Sequence, residues 1–420
     1  MAPEPDTEAS RAAETVARRS YGKLVAFLAA RTREVAGAED ALADALTTAL
    51  TEWRDGRVPD RPEAWLLTVA RRKIADRARR RSTEAGNADL LRYMAREFES
   101  APDQDPVISD ERLRLMFVCA HPAIDRSVRA PLILQTILGF DAAAIASFFL
   151  VSPTAMGQRL VRAKTKIRQA GIPFQFPGDD VAERLDGVLE AIYAAFSAGW
   201  AEPAGSNTPH RDLAEEAIWL GRLVVSLMPA EAEAIGLLAL MLHSEARRRA
   251  RRNDDGEYVP LAEQDTRLWD EAFIDEAEAL LARAAVLGSV GRYQLEAAIQ
   301  SAHAIRRHGG GSDWPAIVRL YERLAAITGS PVVAINRSVA IAEVAGPLSG
   351  LAALEVVGGE ARLAGYQPYW AARAELLARS GNRVGADQAF RRAIGLETDP
   401  AVRRFLERRR QSIERPVGFS

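Results

Sequence analysis

Arg159, Arg162, Lys164, Lys166 and Arg168 fall within residues 151–169, VSPTAMGQRLVRAKTKIRQ, and no acidic residue stands among them. Cationic groups at that density suit phosphates, which position a protein on a duplex without specifying sequence. Gln158 and Arg162 carry the paired donors that read adenine and guanine edges, and Val161 can meet a thymine methyl. At about 100° per residue, Met156, Leu160, Ala163 and Ile167 make one narrow apolar stripe. Thr154, Gln158, Val161 and Arg162 then point the opposite way. Arg159 and Lys166 flank that face on one side, Lys164 and Arg168 on the other. Ser152 is a good N-cap and Pro153 suits the first helical position. Gly139 ends one helix and Asp141 can cap the next, AAAIASFFL, so a short joint gives a helix-turn-helix. Two readings stay open on these residues: a helix that enters a DNA groove, or a solvated basic face on a core helix.

A second basic cluster, ARRKIADRARRR (70–81), lies on a helix predicted over 62–82. Leu67, Ala70, Ile74 and Ala78 form its inner stripe. Trp65, Val69, Arg72, Asp76 and Arg79 line the other side. Aromatic and basic side chains presented together suit unstacked single-stranded bases and their phosphates; core packing of Trp65 and solvated arginines are the plain alternative. A third basic run, EARRRARRND (245–254), reads as a solvated helix end. CAHP (119–122) puts Cys119 near His121, but without a second such pair it reads as a helix end with a partly buried thiol, and no metal is expected. HGGGSD (308–313) reads as a flexible loop. No phosphate-loop, nucleophile-elbow or HExxH pattern occurs, so no catalytic constellation and no cofactor are expected.

The elements that must position these residues are helical. The chain has 420 residues, 48% hydrophobic and 27% charged, as in a soluble globular protein of several domains. Alanine is abundant and strand patterns are absent, which predicts an all-α fold. No apolar run reaches the roughly 18 residues of a membrane span. The polar start MAPEPDTEAS is no signal peptide, and one cysteine suits a reducing compartment, so a cytoplasmic location without membrane partners is expected. Residues 1–172 hold 27 basic and 23 acidic residues, against 28 and 34 in 173–420. Any nucleic-acid footprint must therefore come from local clusters.

Four segments follow. Residues 11–82 form a compact unit with helices near 11–35, 38–53 and 62–82 and a Gly/Pro loop at 54–62. Residues 83–111 form a linker with eight acidic and two basic residues. Residues 112–172 form a second small unit, followed by a Pro/Gly hinge, AGIPFQFPGDD (170–180). A long helical region fills 181–412. Within it, 330–355 and 366–397 align at an offset of about 35–37, close to the tetratricopeptide period. Ala334 and Ala371 sit where helices should touch, and Gly346 and Gly381 lie in the turns.

Taken together, these segments and their order resemble the extracytoplasmic-function group of the sigma-70 family, the promoter-specificity subunits of bacterial RNA polymerase. WLLTVARRKIADRARRR resembles the promoter-melting helix, AGAEDALADALTTALTEW (36–53) the core-binding helix, and IASFFLVSPTAMGQRLVRAKTKIR the unit that reads the upstream element. HPAI, LLALMLHSEARRRAR, QDTRLWDEA, DWPAIVRLYERL and NRSVAIAEVAGP are similar to the subgroup with a C-terminal tetratricopeptide-like (TPR-like) domain. The resemblance covers about residues 11–412.

It implies sigma region 2 over 11–82, region 4 over 112–172 and a regulatory TPR-like domain over 181–412. Glu39, Asp40 and Asp44 match the acidic face that docks on the beta-prime clamp helices of the polymerase core. Trp65, Arg71, Arg72, Asp76 and Arg79 match the face toward the downstream, minus-ten promoter element, and loop 54–62 matches the loop that captures a flipped base. Ser152, Thr154, Gln158, Arg159, Val161, Arg162, Lys164 and Lys166 match the contacts to the upstream, minus-thirty-five element. RNA synthesis belongs to the polymerase, so the chain is expected not to be an enzyme. Promoter DNA and core polymerase are the expected partners, with a regulatory protein or small ligand at the C-terminal domain. The linker, about 28 residues at ~3.3 Å each, could span more than one duplex turn. Three positions depart from the family pattern: Arg72 where asparagine is usual, Gly157 where a basic residue is common, and FSAGW (196–200) in place of a segment like FNEGY. The competing reading is a stand-alone helix-turn-helix regulator with a repeat-type sensor domain, which would need paired half-sites.

Overall fold

The computed structural model describes residues 5–53, 58–85, 111–149, 151–174, 181–201 and 211–414. Among these, 18 α-helices and no strand are present, so the fold is all-α as the composition predicts. The chain forms two compact units, Met1–Ala195 and Phe196–Ser420.

The first unit begins with α1 (Pro5–Thr32), α2 (Val35–Glu52) and α3 (Pro62–Ala85). The α1–α2 joint falls three residues earlier than the sequence suggests, at 33–34 rather than 36–37, where Arg33 turns the chain with φ 55°. Alanine on α2 explains the close packing. Ala38, Ala41, Ala45 and Ala49 are fully buried beside Leu42. They let α2 lie against both α1 and α3. Burying each leucine or phenylalanine of this core contributes about 1.5–3 kcal/mol. Residues 54–57 and 86–110, and with them most of the acidic linker and the start of the 54–62 loop, lie outside the described residues.

Next come α4 (Arg112–Cys119), α5 (Arg126–Leu138), α6 (Ala142–Phe148) and α7 (Pro153–Gln169). Their ends follow the predicted capping. Gly139 closes α5 in the left-handed region at φ 70°, and the Asp141 carboxylate accepts the Ala144 N–H at 2.7 Å. Ser152 Oγ accepts the Ala155 N–H at 3.3 Å. Such caps each stabilise a helix start by about 1 kcal/mol. Helix α1 crosses α5 at Gly22, where an added Cβ would stand 1.9 Å from the Ile137 carbonyl oxygen. Only a glycine permits that approach. The start of α8 (Val181–Ala201) is held by two buried arginines: Arg184 donates to the Phe117 carbonyl at 3.3 Å, and Arg129 reaches Glu183 at 3.1 Å.

The second unit contains α9 (Arg211–Leu227), α10 (Ala232–Ala246), α11 (Glu271–Ala285), α12 (Arg292–Ala304) and α13 (Trp314–Thr328). It continues through α14 (Pro331–Ala345), α15 (Pro347–Glu355), α16 (Gln367–Arg379), α17 (Arg383–Leu396) and α18 (Pro400–Glu414). Helices α14 and α15 pair, as do α16 and α17. Gly346 and Gly381 occupy matching turns, both at φ 86°. Helices α14 and α15 meet closely at Gly350, whose added Cβ would stand 2.6 Å from Ala342 Cβ, and α10 meets the start of α12 as closely at Gly236, 2.6 Å from the Gln294 nitrogen. Ala334 and Ala371 are half-buried.

Candidate nucleic-acid interface

Helix α7 buries Met156, Leu160, Ala163 and Ile167, the stripe that its spacing predicts. Thr154, Gln158, Arg162 and Lys166 are exposed, and Val161 stands 64% exposed. The Arg162 Nε–H bonds back to the Gln158 carbonyl at 3.3 Å, which holds the guanidinium over the same face. Arg159 is half-buried, and Ser152 uses its hydroxyl in the cap. At Gly157 a Cβ would meet nothing closer than Ala142 Cβ at 3.9 Å, so the missing basic side chain leaves open space.

Helix α3 offers a less open surface than the sequence suggests. Leu66, Leu67, Ala70 and Ala75 are buried and Ile74 is half-buried, so the inner stripe is shifted toward Leu66 and Ala75; the side chain of Ala78 lies outside the described residues. Trp65 is half-buried and packs edge-on against the fully buried Trp53, with ring centroids 5.3 Å apart. One indole edge is therefore core. Arg71 is half-buried above the Phe27 ring at 5.4 Å. Arg72, Asp76 and Arg79 are exposed, and Asp76 pairs with Arg79 at 2.7 Å.

The acidic face of α2 is occupied from within the same unit. Arg77 reaches Asp40 at 3.3 Å and Asp44 at 2.8 Å. Glu39 pairs with Lys164 of α7 at 2.5 Å. Burial pushes the Glu39 carboxyl up from its ordinary value, against the opposing pull of Lys164. The outcome for Lys164 differs from its expected place on the DNA side: it faces protein. Neither Arg77 nor Glu34, which pairs with Arg168 at 3.2 Å, stands out in the sequence, because both matter only through partners on other helices.

Two expectations away from these helices are corrected. Cys119 is fully buried rather than partly so; its thiol is pushed up to about 12 by burial and bonds weakly with Thr136. The run 245–254 is no solvated helix end. It turns through a 3-10 segment, Arg248–Arg251, where Arg248 and Arg251 reach the carbonyls of Gly199 and Trp200. Arg251 also lies 3.6 Å from the centre of the Trp200 ring. The FSAGW departure thus has a structural use: its tryptophan is the seat of an arginine. No group of residues that could hold a metal ion occurs among the described residues.

Comparison with known proteins bears on the N-terminal helices first. Residues 16–84 match sigma-70 region 2, and residues 184–285 match a family of unknown function (DUF6596). An uncharacterized protein of Rhizobium meliloti (strain 1021) is 40% identical over 374 residues, 88% of each chain. No solved structure matches. The chain belongs to the family of that Rhizobium protein, and its region 2 supports a factor of the sigma-70 family with a role in transcription initiation. That family consists of non-enzymatic transcription factors, and region 2 implies core RNA polymerase and promoter DNA as partners. Among the described residues, no helix is long and apolar enough to cross a membrane.

Proposed function

We propose that the chain is a sigma factor of the extracytoplasmic-function type, with α3 at the downstream promoter element and α7 at the upstream one. The observation that carries this reading is the exposed face of α7. Thr154, Gln158, Val161 and Arg162 are open on a capped helix whose opposite stripe is buried in a helix-turn-helix. In this reading Gln158 and Arg162 read base edges, Val161 meets a thymine methyl, and Lys166 and Arg159 sit toward phosphates. Arg72, Asp76 and Arg79 face the displaced strand, with the outer edge of Trp65 beside them. Flipping a base costs a few kcal/mol, which these contacts offset. Glu39, Asp40 and Asp44 dock on the polymerase clamp helices. The second unit acts as a TPR-like regulatory module that holds a protein or small ligand; the paired helices and the matching turn glycines Gly346 and Gly381 support it.

The test is reconstitution. Core polymerase with the full chain, given fragmented genomic DNA, is expected to start transcripts at a discrete set of sites absent with core alone. A chain that binds duplex DNA tightly by itself but adds no initiation to core enzyme overturns the reading.

A further inference from the structure

The second unit holds a cleft of about 520 Å³, a size that suits a small organic molecule. One wall is the turn after Arg252, closed by a bridge between Arg252 and Tyr258, and it presents Tyr258 and Val259. The other wall is α18, where Phe405, Arg408, Arg409 and Ser412 recur at helical spacing and so share one face. Tyr258 meets Phe405 edge-on, with ring centroids 5.4 Å apart, which gives the cleft an aromatic side. Ion pairs tie the walls together. Arg252 pairs with Asp399 just ahead of α18, and Glu257 takes Arg404 at 2.6 Å and Arg408 at 2.7 Å.

The lining has spare donors and few spare acceptors. Both Glu257 oxygens are taken by arginine, and those bonds, from Arg408 first and then Arg404, hold its carboxyl below the ordinary value. The Asn253 side-chain oxygen accepts the Glu257 N–H at 2.8 Å, so its amide nitrogen is what remains to offer. Arg408 spends one nitrogen on Glu257 and Arg409 one on Glu375, and the other N–H groups of each guanidinium remain. Burial raises the Tyr258 phenol above its ordinary value, against the pull of Arg251, Arg247 and Arg252 close by. Among the described residues, Arg247 and Arg251 bond only to neutral oxygens: the Gln300 amide and the His243 and Trp200 carbonyls. Cations held that deep without a carboxylate are costly, and a nearby anion offsets the cost. The acceptor left over is Glu263, which is exposed, so water and salt screen it.

We propose that this cleft binds a small organic anion, with its carboxylate or phosphate against Arg408, Arg409 and the Tyr258 hydroxyl and a flat apolar body against Phe405 and Val259. The role of the site, though not its chemistry, rests on the reading of the second unit as a regulatory module given under Proposed function. A bound anion bridges the turn after Arg252 and α18, two segments remote in sequence. It therefore stabilises the second unit by mass action.

The test uses the full chain at fixed ionic strength, with benzoate and phenyl phosphate as probes and benzyl alcohol as their neutral counterpart. Saturation-transfer NMR titrations are expected to show an anion bound with a Kd of about 1 mM or tighter, and the alcohol bound at least about tenfold more weakly. The two anions, compared with each other, tell carboxylate from phosphate. The bound anion is also expected to raise the thermal unfolding midpoint. Arg408→Gln with Arg409→Gln is expected to weaken anion binding by about tenfold or more. Arg362→Gln, at an exposed arginine elsewhere in the unit, is expected to leave it unchanged. Milder variants keep the result readable if the double variant does not fold. Tyr258→Phe is expected to weaken binding about threefold, and Glu263→Gln to tighten it about twofold. The proposal is overturned if neither anion binds, if the alcohol binds as well as the anions, or if Tyr258→Phe and the double variant bind as wild type does. The regulatory reading fails separately: anions that bind as expected but leave initiation by the reconstituted polymerase unchanged keep the site and remove its part in control.

Discussion

Two runs in this chain each carry five basic residues in a short span, 151–169 and 245–254, and the fold treats them in opposite ways. In α7, Arg162, Lys166 and Arg168 stand in solvent. In the second run, Arg247, Arg248, Arg251 and Arg252 are half-buried and bond to protein. The difference lies between the charges. Met156, Leu160, Ala163 and Ile167 recur every three or four residues in α7, so the helix has its own apolar seat and Arg162 and Lys166 can point away from it. The second run offers only Ala246 and Ala250 to the core. There the arginine stems supply apolar cover and the guanidiniums satisfy loose carbonyls, a known use of long cationic side chains. A basic run is a surface for partners only when something else in it holds the helix down.

If that contrast is right, the surroundings of the second run are dry enough to keep histidine neutral. His243 is lowered to about 4 by burial first, then by Arg247 and Arg307. Glu278 lies 3.5 Å from its Nε2 but accepts a bond from Ser301, and it does not offset the burial. A lowered value means the unfolded chain takes up the proton first. His243 therefore contributes stability that is complete above pH 6.5 and lost as pH falls toward about 4. The loss is on the order of 3 kcal/mol. Urea unfolding at pH 7 and pH 4.5 is expected to show a smaller acid loss for His243→Gln than for wild type. Equal losses would mean that water reaches this site.

Arg251 should behave as core. Arg251→Ala removes the bond to the Trp200 carbonyl and the stacking on its ring, and is expected to lower unfolding stability by about 2–3 kcal/mol. Duplex affinity should stay unchanged. Lost affinity with normal stability would put this run back on a nucleic-acid surface and erase the contrast.

Arg162 should behave the opposite way. Arg162→Ala is expected to cost ~1–3 kcal/mol of promoter binding and to relax one upstream base preference. Unfolding should move by no more than about 0.5 kcal/mol. Binding to a panel of single-base variants of a mapped promoter separates the outcomes: an equal loss on every sequence would reassign Arg162 from base to phosphate.

How legible each run was follows from the same physics. For α7, the stripe, the Ser152 cap and the Asp141 cap are local, set by period and by neighbours three residues away, and they stand in the structure where the sequence puts them. The burial of Arg251 depends on Trp200, fifty-one positions earlier, and the pairing of Lys164 depends on Glu39, 125 positions away. No period encodes such meetings. Trp65 falls between: its place on α3 is legible, but its edge-on contact with Trp53 depends on how α2 and α3 pack together.

Lys166 gives the smallest and cleanest test, because it is exposed on the outer side of α7 and Lys164 is not. A lysine on phosphate releases counterions, so it shows in the salt dependence more than in any one affinity. Lys166→Ala is expected to weaken binding evenly across sequences and to reduce the salt slope by about 1. Lys164→Ala should reduce the slope less, since that lysine spends its charge on Glu39. Duplex titrations at several salt concentrations compare the two. Matching reductions would mean that Lys164 already meets phosphate in the free protein, and α7 would then present all five cations to DNA at once.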